Sequence, residues 1–178
     1  HWDTNTTGGD GGAIMITGDD VYLYNVTFLN CSAVGRGGAV FLQDNTNVTF
    51  ELCNFTGCEA YGNATNTWKN YTQERNDAND DTKLDYKLTG HGGAIAFDVG
   101  AKDGYVIKSV FNDNHAHRDG GAIHYAAGAT RGIMINSTFI NHTVNYDGGA
   151  IYLNGTYCEI HNSTFLNNSA KDDGGAIF

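Results

Sequence analysis

Apolar and polar positions along the chain recur in short blocks that open with the same four residues. Gly-Gly-Ala followed by Ile or Val occurs six times, beginning at Gly11, Gly37, Gly92, Gly120, Gly148 and Gly174. Four of the five intervals are 26 or 28 residues long, and one is 55. A period of this length is typical of one structural unit that is stacked along the chain.

A phenylalanine gives the units a second fixed position, at Phe28, Phe55, Phe111, Phe139 and Phe165. Five residues before it every unit has an apolar residue, and five residues after it every unit has Ala or Val. This spacing is that of short extended segments with one face inward, and no segment carries a helical apolar stripe. We expect three short strands in each unit.

A unit of 26 to 28 residues without a helix buries its apolar face by coiling, because each strand then pairs in parallel with its copy in the next unit. The pattern predicts an all-β fold, a right-handed parallel β-helix of about five coils, as a single domain over residues 1–178. Each Gly-Gly corner would supply positive φ or a close backbone approach. We expect the chain to be a fragment of a longer protein.

The 55-residue interval contains a polar stretch without a phenylalanine, residues 61–89. We interpret it as a loop insertion that leaves the rod. Trp68, Tyr71 and Tyr86 are its candidate ligand-binding residues, since aromatic rings stack on sugars and proteins. Two alternatives stay open: a degenerate sixth coil, because residues 84–88 alternate like a strand, and a disordered charged insertion.

The composition of the chain excludes some classes of protein and of binding partner. The 178 residues carry a formal net charge of −10, which argues against a nucleic-acid surface, and 40% of them are hydrophobic, which argues against disorder. No apolar run approaches the length of a membrane span. With 24 Gly and no Pro, tight turns depend on Gly and Asn.

The repeated motifs resemble those of two groups of surface proteins. Gly-Gly-Ala-Ile with residues 136–141 and 162–168 resembles the repeats of methanogen adhesin-like surface proteins. The chain also resembles the GGA(I/V) and FxxN repeats of chlamydial polymorphic outer membrane proteins. FxxN is complete after Phe111 and Phe165, whereas Cys31, Cys58 and His142 replace its Asn elsewhere. The resemblance implies a secreted, surface-displayed β-helical stalk or adhesive module, and it brings no catalytic residues.

An Asp precedes several of the Gly-Gly pairs, and coiling would stack Asp119, Asp147 and Asp173 about 5 Å apart. Calcium is one cation that such a column of carboxylates could bind. The alternative is that each Asp caps its own turn. Because Arg36 and His91 hold the same position in other units, we expect no cofactor and keep calcium as the open alternative.

The same column, with Arg118, His117 or Lys171, is the best cluster for a polysaccharide lyase or hydrolase. The members of this cluster are copies of one repeat position, and residues repeated in register usually serve folding. We therefore expect that the protein is not an enzyme. The other histidines fall at different repeat positions and show no metal-ligand spacing. We expect most of this set to be solvated: His115, His117, His124, His142 and His161.

Two cysteines, Cys31 and Cys58, both lie three residues after their phenylalanine. Stacking would bring their α-carbons to about 5 Å, within disulfide range, so they are a candidate disulfide in an extracellular protein. Cys53 and Cys158 fall on inward positions and are expected to be buried thiols.

The chain is rich in the N-x-S/T sequence that accepts N-linked glycans in secreted proteins. We expect a subset to be modified, and the alternative is unmodified asparagine ladders along the stack. The candidate positions are Asn5, Asn25, Asn30, Asn47, Asn54, Asn63, Asn70, Asn136, Asn141, Asn154, Asn162 and Asn167.

Together these features predict an extracellular, cell-surface, adhesin-like repeat protein in which a stiff stalk presents a binding surface. Its partners would be other cells, glycans or surface proteins, with no nucleic acid and no membrane span in this segment. Two alternatives share the architecture: a structural filament formed by head-to-tail stacking of coil ends, and a polysaccharide-cleaving β-helix enzyme.

Overall fold

A computed structural model of the protein describes residues 9–62 and 90–178, which form five coils of four β-strands each. Every strand pairs in parallel with its counterpart in the neighbouring coil, which gives four five-stranded sheets. The predicted all-β, parallel β-helical fold of about five coils is confirmed. The prediction of three strands per coil is wrong, because a two-residue strand closes each coil, too short to show an alternating pattern in the sequence.

The strands run in the same order in every coil, and sheets A, B, C and D contain the first, second, third and fourth strands of the coils. Coil 1 contains β1 (Ile14–Ile16), β2 (Val21–Tyr24), β3 (Thr27–Leu29) and β4 (Ser32–Ala33). Coil 2 contains β5 (Val40–Leu42), β6 (Thr46–Glu51), β7 (Asn54–Thr56) and β8 (Glu59–Ala60). Coil 3 contains β9 (Ile95–Phe97), β10 (Lys102–Ile107), β11 (Val110–Asn112) and β12 (His115–Ala116). Coil 4 contains β13 (Ile123–Tyr125), β14 (Thr130–Ile135), β15 (Thr138–Ile140) and β16 (Thr143–Val144), and coil 5 contains β17 (Ile151–Leu153), β18 (Glu159–His161), β19 (Thr164–Leu166) and β20 (Ser169–Ala170).

Coils 2 and 3 flank the predicted insertion, and they pair directly with each other in all four sheets. The alternative of a sixth coil between them is therefore wrong. The Tyr61 amide still donates to the Ala33 carbonyl at 2.9 Å, so coil 2 continues into the predicted insertion. Residues 63–89, with the ligand candidates Trp68, Tyr71 and Tyr86, lie outside the described residues. No helix long and apolar enough to cross a membrane is found in the described part of the chain.

A ladder of phenylalanine rings runs through the core from coil to coil. The ring centroids of Phe28 and Phe55 are 4.6 Å apart, those of Phe55 and Phe111 4.7 Å, and the two later steps in the ladder are 4.9 Å each. These separations match the spacing of about 4.8 Å between paired strands. Each ring therefore lies flat on its copy because the backbones beneath are in register.

Sheets A and B complement each other in volume across the core. In coils 3 and 4 the last residue of the sheet A strand is aromatic, and the rings of Phe97 and Tyr125 stack at 4.1 Å. The facing residues of sheet B are Gly104 and Gly132, and a Cβ on either would overlap one or both of these rings. The two glycines are therefore needed for the space that they leave, as close packing of a core requires.

The Gly-Gly corner needs glycine at each position for a different reason. The first glycine of the corner has positive φ in every coil, for example +66° at Gly92 and at Gly120, a region that only glycine enters without strain. The second has no room for a side chain, because a Cβ on Gly93 would overlap the carbonyl oxygen of Gly121 in the next coil. The expectation of positive φ or close approach is confirmed, with one requirement at each position.

Polar side chains buried between the strands satisfy the backbone of the neighbouring coil. The Ser109 hydroxyl accepts the Cys53 amide hydrogen at 3.1 Å. The Asn114 Oδ1 accepts the Cys58 amide hydrogen at 2.8 Å, while its Nδ2 donates to the Phe55 carbonyl at 3.0 Å. The Asn of FxxN therefore supplies both an acceptor and a donor to a buried turn, which would otherwise lose the free energy of two hydrogen bonds.

His142 takes the Asn position in coil 4 and performs only half of this function. Its Nδ1 accepts the Asn114 amide hydrogen at 3.0 Å. Its Nε2 is buried and has no hydrogen-bond partner among the described residues. Burial, which disfavours the charged imidazolium, lowers the pKa of His142 to about 4.

We predict that His142→Asn makes the protein less sensitive to acid. Above pH 6.5 the imidazole is neutral in both the folded and the unfolded chain, so its titration contributes nothing. Between pH 6.5 and about 4 the unfolded chain takes up the proton and the folded chain does not, which costs about 3 kcal/mol of unfolding free energy by pH 4. Urea unfolding at a series of pH values measures the effect.

The variant should lose less stability than the wild type over this range, and the restored amide donor should raise its stability at pH 7. His161→Asn, which removes an exposed histidine of coil 5, is the matched control. Equal acid sensitivity of His142→Asn and wild type would contradict the assignment.

Candidate functional site

The residue before each Gly-Gly pair forms a column at the corner between sheets D and A. In coil order it is Asp10, Arg36, His91, Asp119, Asp147 and Asp173. The Asp119 Oδ1 accepts the amide hydrogen of Asp147 at 3.1 Å, and the Asp147 Oδ1 accepts that of Asp173 at 3.0 Å. The predicted cap is therefore made to the next coil and not to the residue's own turn. Burial, followed by the neighbouring carboxylates, raises the pKa of Asp147.

Beside this corner, the outer face of sheet A is unusually well covered. The middle residues of its strands point away from the core, and in coils 2, 3 and 4 these residues, Phe41, Ala96 and His124, are all at most 8% exposed. The His124 ring stacks on Tyr152 of the next coil at 5.0 Å. Ala96, the smallest residue of the column, separates the Phe41 and His124 side chains.

Arg36 extends from the corner across this face. Its guanidinium lies 4.5 Å from the centroid of the Phe41 ring. It pairs with Asp10 at 2.9 Å on the corner and with Asp98 at the far end of strand β9. The cation therefore joins three consecutive coils and covers an aromatic ring that would otherwise be exposed.

In coils 3 and 4 the same geometry brings two imidazoles and a carboxylate together. The His91 Nδ1 lies 3.2 Å from the Asp119 Oδ2. The ring centroids of His91 and His124 are 4.5 Å apart. One ligand atom from each of the three residues lies within 4.8 Å of those from the other two. We call His91, Asp119 and His124 the His-Asp cluster.

The electrostatics of this region favour a bound cation. Four carboxylates, Asp10, Asp98, Asp119 and Asp147, surround two guanidinium groups, Arg36 and Arg118, which gives a net charge of −2 when the imidazoles are neutral. Burial, with smaller contributions from the charges of His91, Arg118 and Arg36, lowers the pKa of His124 well below its ordinary value. His124 is therefore a neutral imidazole at pH 7, and one ring nitrogen of a neutral imidazole is an acceptor.

The expectation of solvated histidines is wrong for His124 and His142, which are both buried. Metal ligands are recognised in a sequence by short spacings along the chain, whereas coiling joins His91 and His124 across 33 residues. Two signals pointed to the cluster: a histidine in a corner column otherwise held mostly by Asp, and a histidine after Gly-Gly-Ala-Ile. His117, by contrast, is exposed as expected.

Sheet B carries an exposed aromatic and aliphatic face on the other side of the rod. In coil 1, Tyr22 and Tyr24 are 59% and 55% exposed, and their ring centroids are 6.0 Å apart. The Tyr22 hydroxyl donates to the Glu51 carboxylate at 2.6 Å, and this hydrogen bond is the main reason that the pKa of Tyr22 is raised to about 12. Four partly exposed residues extend the face into coils 3 and 4: Tyr105, Ile107, Ile133 and Ile135.

The cysteines are free thiols in the structure. Cys31 and Cys58 do lie at the same position of neighbouring coils, and burial, followed by the proximity of Cys31, raises the pKa of the Cys58 thiol to about 12. The disulfide between them stays a prediction. Cys53 is buried as expected, while Cys158 is only partly buried.

All nine candidate glycosylation sites in the described residues are exposed: Asn25, Asn30, Asn47, Asn54, Asn136, Asn141, Asn154, Asn162 and Asn167. Seven of them, all except Asn54 and Asn154, have φ between 46° and 60°, where asparagine is favoured over most other residues. The Nδ2 of Asn167 donates to the Oδ1 of Asn141 at 3.3 Å, as expected for an asparagine ladder. Backbone geometry thus accounts for most of these asparagines, and glycosylation stays a prediction. Asn5, Asn63 and Asn70 lie outside the described residues.

Comparison with known proteins gives one family and no individual relative. No curated protein sequence matches the chain significantly. The family model of the Chlamydia polymorphic membrane protein repeat matches residues 108–126 and 162–178. Each matched segment runs from the sheet C strand through the Gly-Gly corner, and these are the two copies in which FxxN is complete. Over these two segments the chain is therefore similar to the Chlamydia polymorphic membrane protein repeat.

Proposed function

We propose that this chain is part of an extracellular, cell-surface, adhesin-like protein in which the β-solenoid is a stiff stalk that presents a binding surface. Its partners are other cells, glycans or surface proteins. The observation that carries the proposal is the unbroken stack of five coils, bonded to one another in all four sheets. Such a stack resists bending, because bending would separate paired strands and the stacked rings between them.

The surface location rests on two further observations. The repeat that matches the chain is named for a membrane protein of Chlamydia. Every candidate glycan acceptor in the described residues is exposed to solvent. The sheet surfaces are also rich in Thr, Asn and Tyr, side chains that suit contact with sugars and with water.

Two regions of the chain can supply the binding surface. The first is the sheet B face, where Tyr22 and Tyr24 expose adjacent rings. Tyrosine is enriched in interfaces relative to the rest of a protein surface. The second is the stretch 63–89 with its aromatic residues Trp68, Tyr71 and Tyr86.

The proposal includes no catalytic activity. Asp119 and Asp147, which belong to the best sequence candidate for polysaccharide cleavage, each hold the amide of the next coil with one carboxylate oxygen. Asp119 also faces Arg118 at 3.5 Å. These contacts are those of folding residues, which supports a proposal without catalysis.

Binding of the purified chain to glycans and to cells tests the proposal through two variants. In the first variant Tyr22→Ser is combined with Tyr24→Ser. The second deletes residues 63–89 and joins Gly62 to Gly90. This junction is short, because a Cβ on Gly90 would lie 2.9 Å from the Gly62 Cα, and adjacent Cα atoms lie about 3.8 Å apart in any chain.

We expect the wild-type chain to bind and at least one of the two variants to lose about tenfold or more in affinity, the loss that follows removal of a binding aromatic residue. Leu29→Ser is the matched control, because Leu29 is 62% exposed on sheet C of the same coil. Circular dichroism confirms that the variants fold. A wild-type chain that binds neither glycan arrays nor cells would contradict the adhesive function.

A second candidate function is the structural filament, in which copies of the chain stack through the ends of their coils. Ile160 and Phe165 are only partly buried, whereas their counterparts Met134 and Phe139 in coil 4 are fully buried. A second copy of the chain, stacked head to tail, would cover these side chains and extend the phenylalanine ladder.

Sedimentation and electron microscopy over a range of concentrations test this stacking. Ala170→Lys should block it, since Ala170 faces inward at the open face of coil 5, and Ser169→Lys should not, since Ser169 is exposed. A chain that stays monomeric at all concentrations, or equal association of the two variants, would rule the filament out.

A further inference from the structure

We propose that His91, Asp119 and His124 form a binding site for a divalent transition-metal ion, of which zinc is the probe. The site joins coil 3 to coil 4 at the corner beside the outer face of sheet A. It shares Asp119 with the acidic column Asp119, Asp147 and Asp173, but its other ligands are the imidazoles of His91 and His124, and its metal is not calcium. It also goes beyond the adhesive function, since it needs no surface partner.

The distances in the cluster are close to those of an occupied site. Ligand atoms about 2.1 Å from a tetrahedral zinc ion are about 3.4 Å from one another. The His91 Nδ1 and Asp119 Oδ2 already lie 3.2 Å apart. The His124 ring nitrogen lies within 4.8 Å of both atoms, so a shift of at most about 1.4 Å brings it to the separation of ligands in an occupied site.

The two oxygens of Asp119 have separate partners. Its Oδ1 accepts the Asp147 amide hydrogen at 3.1 Å, and its Oδ2 faces the His91 Nδ1 at 3.2 Å and the Arg118 Nε at 3.5 Å. The backbone contact therefore holds the carboxylate in one orientation, as outer-shell hydrogen bonds do for metal ligands. The ligand oxygen is available without loss of the coil-to-coil hydrogen bond.

His124 is likewise fixed in position. Its ring stacks on Tyr152 at a centroid distance of 5.0 Å, and on its other side the His91 ring lies at 4.5 Å, tilted by 39°. Each ligand thus lies on a rigid element, either a Gly-Gly corner or a strand of sheet A. A site whose ligands are already oriented loses little conformational freedom on binding.

The ligand types select the metal. Two imidazoles and one carboxylate suit zinc and other late first-row divalent ions, whereas calcium requires six or more oxygen ligands. The surrounding charge favours any divalent cation, because four carboxylates outnumber the two guanidinium groups. Arg36 is neutralised by Asp10 and Asp98, and so it leaves the His-Asp cluster open to a cation.

Isothermal titration of the purified chain with zinc, and separately with calcium, tests the proposal. We expect one zinc ion per chain, a melting temperature that rises with zinc concentration, and no comparable effect of calcium. Cobalt is the spectroscopic probe, because its absorption in the visible reports the coordination number and geometry of the bound ion.

Three variants remove one ligand each while keeping its other contacts. His124→Phe keeps the ring that stacks on Tyr152, and His91→Gln keeps a polar side chain at the corner. Asp119→Asn keeps the oxygen that accepts the Asp147 amide hydrogen. We expect each to weaken zinc binding by at least about tenfold.

His142→Asn is the matched control, since it removes a buried histidine outside the His-Asp cluster, and it should bind zinc like the wild type. His161→Asn tests the exposed pair of His161 with Glu159 at 2.8 Å as a competing site. The proposal is overturned if the wild type binds no zinc. It is equally overturned if the folded His91→Gln and His124→Phe variants bind zinc with wild-type affinity, or if His161→Asn alone abolishes binding.

Discussion

The structure depends on one constraint: every buried backbone group of a coil must find its hydrogen-bond partner in the next coil. The strands meet this requirement through parallel pairing in four sheets. The turns between strands cannot, and there the side chains of Ser109 and Asn114 reach into the preceding coil to hold the amides of Cys53 and Cys58. The short repeat thus encodes hydrogen bonds between coils and not only an apolar face.

This constraint decides where function can reside. The side chains of the inward columns pack against one another. Most asparagines and aspartates of the turns are needed for positive φ or for a hydrogen bond to the next coil. What varies freely from coil to coil is the outer surface. There the corner beside sheet A holds an arginine bridge in coil 2 and the His-Asp cluster in coils 3 and 4, while sheet B exposes two tyrosines in coil 1. A regular scaffold can therefore carry different chemistry on each coil.

Much of the fold could be predicted because its determinants recur in register. The Phe ladder and the Gly-Gly corners follow from spacing alone. The fourth strand could not be predicted, since two residues such as Ser32 and Ala33 show no alternation. The His-Asp cluster was missed because it depends on how a corner side chain leans over the adjacent strand, so that His91 meets His124 of the next coil. That lateral geometry depends on the shape of the coil's cross-section, which the repeat length does not specify.

Amide hydrogen exchange tests the coil-to-coil bonding most directly. The amide of Cys58 is held by Asn114 and that of Cys53 by Ser109, each in the neighbouring coil. In the variant Asn114→Ala, we predict that the Cys58 amide loses protection from exchange relative to the Cys53 amide, because its partner is gone while the strands around it remain paired. Unchanged protection of Cys58, or an equal loss at both amides, would contradict the account.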